Sequence, residues 1–261
     1  MKYHVHEHMV TLPGNRLVGL IRLKGISHET RDKSELDKLF YRLNRYFLAV
    51  GKKEGKSLML QTYVTKSRVE LAGKYRVELP VLQDFVDAYV RPFQQGSFRQ
   101  VNYHLAVILK YRELDDGIRR MQDLLITTSH MLSRYEPVLL GIEESEAGGL
   151  YSQIGGFYSL LFNGSEQPVR LSDTRLGEAV IDSVTSFGAY DFVENRPNRG
   201  GRRFATTYDL RDYPSEGSRP GMWDEAIEQP FDFTLVQGFV ILPPFHGHPY
   251  KRLTLAIGGG R

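Results

Sequence analysis

Hydrophobic positions along this chain switch between two periods. "RLVGLIRLKG" (Arg16–Gly25) alternates apolar with polar residues and is rich in branched side chains, the pattern of a strand. His4–Leu12 predicts a second strand before it, with "PGN" as the turn between them. Leu36, Leu39, Phe40, Leu43, Phe47 and Val50 then recur at helical spacing, with Ser34 or Asp32 as the start cap and Gly51 as the end. "KSLMLQTYVTKSRVEL" predicts a strand extended to about Leu71, and "PVLQDFVDAYVRPFQQG" a helix kinked or ended at Pro92. "VNYHLAVILKYR" is the clearest buried strand. A long helix follows from about Glu113 to Tyr135, with Leu114, Ile118, Met121, Leu125 and Leu132 on one face.

The pattern then changes. "GGLYSQIGGFYSLLFNG" predicts a glycine-broken helix rich in aromatics. Short strands are expected around Val180–Phe187, Tyr190–Asn195 and Arg203–Leu210, with "NRPNRGGRR" as a hairpin tip. A short helix "GMWDEAIEQ" and an apolar strand "FTLVQGFVIL" complete the order. The β-β-α-β-α-β-α pattern followed by a β-richer C-terminal third predicts an α+β fold, with mixed or antiparallel sheets and helices packed on one face. It divides into residues 1–145 and 146–261, as two portions or as one continuous domain.

Composition adds mostly exclusions. With 261 residues, 41% hydrophobic and 25% charged, the chain has the make-up of a globular protein with a substantial core. A net charge of +3 gives no strong global attraction to nucleic acid or anionic lipid. The absence of cysteine removes disulfides, thiolate metal sites and cysteine nucleophiles, and suits a reducing compartment. No apolar run has the length of a membrane-spanning helix, and "MKYHVHEHMVTL" lacks a signal-peptide core, so a cytoplasmic location is expected.

Several groups could carry chemistry. His4, His6 and His8 alternate, so on one strand they share a face about 6.6 Å apart per step, too spread for all three to hold one ion. His246 and His248 form a second pair in "PPFHGHPY", and no HExxH occurs. A His-dependent metalloenzyme is the first alternative reading. No GxSxG elbow is present, and the carboxylates at Asp115–Asp116 and at Glu143, Glu144 and Glu146 read as helix-start charges or solvated faces. "GKKEGKS" (Gly51–Ser57) approaches a P-loop in composition. Only three residues separate its glycines, however, and it runs from helix to strand, the reverse order. Arg196, Arg199, Arg202 and Arg203 could contact phosphates, which gives a nucleic-acid-binding module as the second alternative. No aromatic stacking platform is interleaved with them.

One long segment is more specific. "FYSLLFNGSEQPVRLSD" (Phe157–Asp173), with Asn163, Gly164 and Pro168, resembles the "hLxxLhNG…PV" stretch of the CagE/TrbE/VirB family of type IV secretion (conjugative transfer) ATPases. Phe204–Leu242 resembles a second block of that family through Asp212, Tyr213, Pro214, Pro220, Gly221, Met222, Pro230, Phe231 and Gln237–Phe239. Gly238 stands where the family has a small hydroxyl residue. Looser likeness extends back to about Val10. Physically the second block reads as architecture, with Pro220–Gly221 launching a helix that Trp223 anchors.

The resemblance implies the amino-terminal, non-catalytic region of such an ATPase. It would dock the motor to inner-membrane components of the secretion machine and self-associate, sitting peripherally at the inner membrane through protein partners. ATP and Mg²⁺ would belong to a motor domain beyond this sequence, and no cofactor is expected here. The chain is then either part of a longer protein or a product without a motor. Phe157, Tyr158, Trp223 and Phe231 read, each taken alone, as core residues, or together as an exposed aromatic set that orders the packing beneath the docking surface, with Trp223 and the four arginines as contacts.

Overall fold

Branched and alternating segments lie side by side as one antiparallel sheet in the computed structural model, which describes residues 1–26, 32–68, 75–77, 79–94, 98–187, 193–197, 202–208, 224–240 and 254–256. The sheet contains β1 (His4–His6), β2 (Met9–Leu12), β3 (Arg16–Leu23), β4 (Leu58–Arg68), β5 (Arg99–Lys110), β6 (Pro137–Leu139), β13 (Phe233–Val240) and β14 (Thr254–Ala256). Its order is β1-β2-β3-β5-β4-β13-β14; β6 extends β3 at Ile21–Leu23, past the end of β2. Every strand pairing among the described residues is antiparallel, as the α+β reading expects.

α1 (Lys33–Glu54) and α3 (Leu114–Met131) cover one face. Met121, Leu124 and Leu125 of α3 pack with Leu17, Ile21, Leu58, Leu105 and Leu109, while Leu43, Phe47 and Val50 of α1 close the edge. The α+β class therefore stands, but helices occupy both faces, because α4 (Gln153–Asn163) and α5 (Leu176–Ala179) bring Ile154, Phe157 and Leu176 against Val18, Leu20, Tyr63, Ala106 and Ile108 opposite. β3 and β5 bury side chains on both faces, which explains their nearly continuous apolar runs.

The remaining elements are α2 (Pro80–Gln94), α6 (Asp224–Glu228), and two small sheets: β7 (Ile142–Glu144), β8 (Leu150–Ser152) and β9 (Val169–Arg170), then β10 (Ser183–Phe187), β11 (Val193–Pro197) and β12 (Arg203–Ala205).

Four local expectations change. The first strand is interrupted after His6, so β1 and β2 form a hairpin with His8 in its turn. α1 runs through Gly51 and ends at Gly55, whose φ of 55° suits a residue without Cβ. α2 continues through Pro92, which forfeits one helical N–H bond only two residues before the helix ends at Gln94. α4 is unbroken by its glycines. A Cβ on Gly155 would sit 3.0 Å from Val169 Cβ, so the glycine there is a device for close approach.

α1 and α3 lie antiparallel, held by two buried polar ties. Tyr46 Oη and Thr128 Oγ1 are 2.5 Å apart, and Thr128 also donates to Leu124 O at 2.6 Å. The buried carboxylate of Glu54 accepts from Arg120 Nε at 3.2 Å and from Nη2. Close approach also sets α3 against β3, where a Cβ on Gly19 would meet Leu125 Cδ1 at 2.6 Å.

His104 of β5 lies between Arg22 of β3 and Tyr63 of β4, beneath the Phe157 ring (centroids 4.4 Å apart). Burial, reinforced by Arg22, lowers its pKa to about 4. Protons then bind the unfolded chain more readily between the ordinary value near 6.5 and about 4. This stabilisation is complete above that window and is lost as pH falls through it, by about 2–3 kcal/mol. Urea unfolding at stepped pH should show a steep decline below pH 6.5, and His104→Leu should flatten it. An unchanged slope in the variant would contradict this assignment.

Candidate interaction surfaces

The motif residues near 163 sit at the C-terminal end of α4, and their partners explain the spacing. Ser152 caps the helix start by accepting from Gly155 N at 2.9 Å. Ser159 accepts from Gln167 N at 2.7 Å, folding the following loop back on the helix. Asn163 is 1% exposed. Its Nδ2 donates to Val180 O at 2.8 Å, while its Oδ1 accepts from Asp182 N at 3.1 Å and Ser183 Oγ at 2.9 Å. Gly164 supplies the left-handed cap (φ 73°), its N–H reaching Leu160 O. Pro168 is exposed, just before β9.

These contacts fasten β10–β12 to the helix end. Asn195 Nδ2 donates to Phe162 O at 2.8 Å and Arg203 Nη1 donates to Gly164 O, satisfying carbonyls that a helix C-terminus leaves open. Arg196 and Arg202 share Glu194, at 2.9 and 3.4 Å, and the Arg196 hydrogen bond is the main cause that lowers the Glu194 pKa. Three of the four arginines are thus engaged within the protein. Arg199 lies outside the described residues, as do Asp212, Tyr213, Pro214, Pro220, Gly221, Met222, Trp223, His246 and His248.

The second motif block is described from α6 onward. Lys66 of β4 donates to Ile227 O and, at 2.9 Å, to Gln229 O, capping α6 with a cation. Pro230 and Phe231 follow, both exposed, and Asp232 accepts from Arg99 Nε at 2.9 Å, which leads into β13 beside β4.

The expected exposed aromatic set is corrected in part. Phe157 is a core residue, 2% exposed, edge-on to Tyr63 (5.1 Å) and Tyr158 (5.4 Å). Tyr158 is largely covered and burial raises its pKa well above the usual value; Phe231 is exposed. The helix face that delivers Phe157 to the sheet is what buries it.

The amino-terminal histidines serve local structure. His4 Nδ1 donates to His6 O at 3.3 Å, which leaves Nε2 to accept from Ser152 Oγ at 2.7 Å; burial lowers the His4 pKa, consistent with a neutral ring. His8 Nδ1 donates to Leu140 O at 3.2 Å. Among the described residues no group of three or more His, Asp or Glu side chains is arranged to hold a metal ion.

The surface that sequence reading missed is on α2. Val86, Val90 and Phe93 point one way, and Phe93 stacks on Phe98 at 4.2 Å. Val81, Leu82, Phe85 and Tyr89 continue the apolar arc outward and are exposed, Val81 by 81% and Phe85 by 71%. Polar Gln83, Asp84, Asp87 and Arg91 occupy the rest of the helix. An apolar arc this wide exceeds what a single core-facing stripe needs. Its signal was legible as a period-3.6 pattern wider than one core-facing stripe. A further apolar set, Phe162, Ile181, Val184, Phe187 and Phe204, is exposed around the α4–β10 junction. No helix among the described residues is long and apolar enough to cross a membrane.

Residues 139–249 match the model of the CagE, TrbE, VirB family, described as a component of the type IV transporter system. The type IV secretion system protein virB4 of Bartonella quintana is 24% identical over 262 residues, covering 91% of this chain and 32% of that protein. The virB4 protein of Bartonella henselae is 25% identical with the same coverage, and that of Brucella suis biovar 1 is 22% identical over 88% of this chain. The chain thus spans about a third of the length of the curated relatives it matches.

Proposed function

We propose that this chain, whose residues 139–249 match the model of the CagE, TrbE, VirB family of type IV transporter components, forms the non-catalytic amino-terminal region of a type IV secretion ATPase, which docks the motor onto inner-membrane components of the machine and mediates self-association. The observation that carries this reading is the exposed outer face of α2: Val81, Phe85 and Tyr89 make a row of anchors at i, i+4 and i+8 with Leu82 beside it, the form in which an amphipathic helix meets a groove. Aromatic anchors of this kind dominate binding energy at interfaces. The second exposed set, around Phe162 and Phe187, offers room for a copy of the chain. In this reading the described site residues hold the scaffold. Asn163, Gly164 and Arg203 fix β10–β12 to α4, and Lys66 and Asp232 fix the second motif block to the main sheet.

Copurification of the tagged protein with inner-membrane components from cells that carry the secretion system tests the docking role. Phe85→Glu/Tyr89→Glu should reduce recovery at least tenfold, since two hot-spot aromatics are each worth about 2 kcal/mol. Both side chains are exposed, so the melting temperature should stay within about 2 °C of the parent. Undiminished recovery of a folded variant would overturn the assignment of this face.

A further inference from the structure

The outer face of α1 carries a pattern that the docking role does not use. Lys38, Tyr41, Arg45, Leu48 and Lys52 follow one another at steps of three and four residues, so they form one stripe along the helix, opposite the buried Leu39 and Tyr46. All five are exposed. Arg42 and Lys53 flank the stripe on one side and Phe40 on the other. From Lys38 to Lys53 the sequence has five cations and no acid, and Arg45 lies 5.9 Å from the centre of the Tyr41 ring.

The neighbouring acids leave most of this excess in place. Glu54 is buried against Arg120 and is 4.0 Å from Lys53 Nζ, so of the five cations Lys53 is partly offset. Glu35 pairs with Arg134 at 3.7 Å, and Asp116 is engaged by Arg119 and Arg120. Asp37, at the start of the stripe, and Asp123 of α3 are the other nearby carboxylates. Where α1 meets the end of α3, an open cavity of about 250 Å³ has an apolar floor of Leu39 and Leu43 and a rim of Arg42, His130, Met131 and Arg134. Ile126 and Met131 of α3 expose further aliphatic surface.

We propose that this two-helix face binds an anionic phospholipid bilayer, with α1 lying along the interface and the cavity taking up a lipid phosphate. Cations on a stiff helix meet the headgroup charge, and Tyr41, Leu48 and Phe40 enter at headgroup depth. The aliphatic members favour lipid over nucleic acid, for which Leu48, Ile126 and Met131 offer no stacking face. Contact of this kind is separate from the α2 face and needs no protein partner, so its failure leaves the docking role standing.

Flotation of the whole chain with phosphatidylcholine vesicles containing ~30 mol% phosphatidylglycerol tests it against pure phosphatidylcholine. Binding should require the anionic lipid and fall with added salt. Lys38→Gln/Arg45→Gln/Lys52→Gln should weaken partitioning ~100-fold, at about fivefold per cation. Leu48→Trp gives an independent reading in a chain with its cations intact: emission should shift to the blue with anionic vesicles only. No flotation of the parent, equal flotation with neutral vesicles, or full binding by the triple variant would overturn the proposal. Binding to single-stranded DNA without binding to vesicles would instead assign the face to nucleic acid.

Discussion

Asn163→Leu is expected to cost the chain about 3 kcal/mol of stability and to release β10–β12 from α4. The side chain is buried and serves three partners, Val180 O, Asp182 N and Ser183 Oγ. Leucine fills similar volume but leaves those groups unpaired, and each buried orphan costs about 1–3 kcal/mol, less for the two that are partly open to water. Asn163→Asp sharpens the point. It keeps the acceptor for Asp182 N and Ser183 Oγ but places a carboxylate oxygen against the Val180 carbonyl. Chemical denaturation measures both, and hydrogen exchange should show early loss of protection in 183–187. A change below about 0.5 kcal/mol would mean that the motif asparagine acts elsewhere.

Arg120→Ala has a comparable expected effect from a different cause. The Glu54 carboxylate is buried beneath the α1–α3 contact, and Arg120 is its close partner. Removing one member of a buried pair strands the other, at a cost of about 3 kcal/mol here, the low end of the range because the Arg120 side chain is partly exposed. Glu54→Leu/Arg120→Leu should recover most of the loss, since an apolar pair of similar volume has no charge to desolvate. If Arg120→Ala alone unfolds at the parental denaturant concentration, the pair is not holding α1 to α3.

The elements were legible where one period dominates. β3, β5 and α3 bury continuous or one-sided apolar sets, so alternation and helical spacing located them from sequence. Misreadings came from residues whose meaning is tertiary. Gly155 and Gly156 looked like a helix break, yet Gly155 is what lets α4 approach Val169. Phe157 read either as core or as part of an exposed set, because nothing in its neighbourhood reveals that α4 packs on Tyr63 and His104. The motif asparagine was recognised by resemblance, but its partners lie 17 to 20 residues downstream and no local pattern names them. His4, His6 and His8 alternate like a strand face, and the turn that separates His8 from the other two is set by its bond to Leu140 O.

The α2 face illustrates the opposite case. Its apolar arc was present in the sequence, but an amphipathic helix is first read as core-facing. The structure places α2 in the crossover between the paired strands β4 and β5, with Val81, Leu82, Phe85 and Tyr89 exposed among the described residues. The α1 stripe was obscured in the same way by an overall charge of only +3, which averages a basic helix with acidic segments elsewhere.

Hydrogen exchange across the chain, with and without the solubilised inner-membrane complex of the secretion machine, tests the docking reading most directly. The account predicts new protection concentrated in residues 80–94, abolished by Phe85→Glu/Tyr89→Glu. Protection confined to other segments, with α2 exchanging at its free rate in the complex, would contradict it.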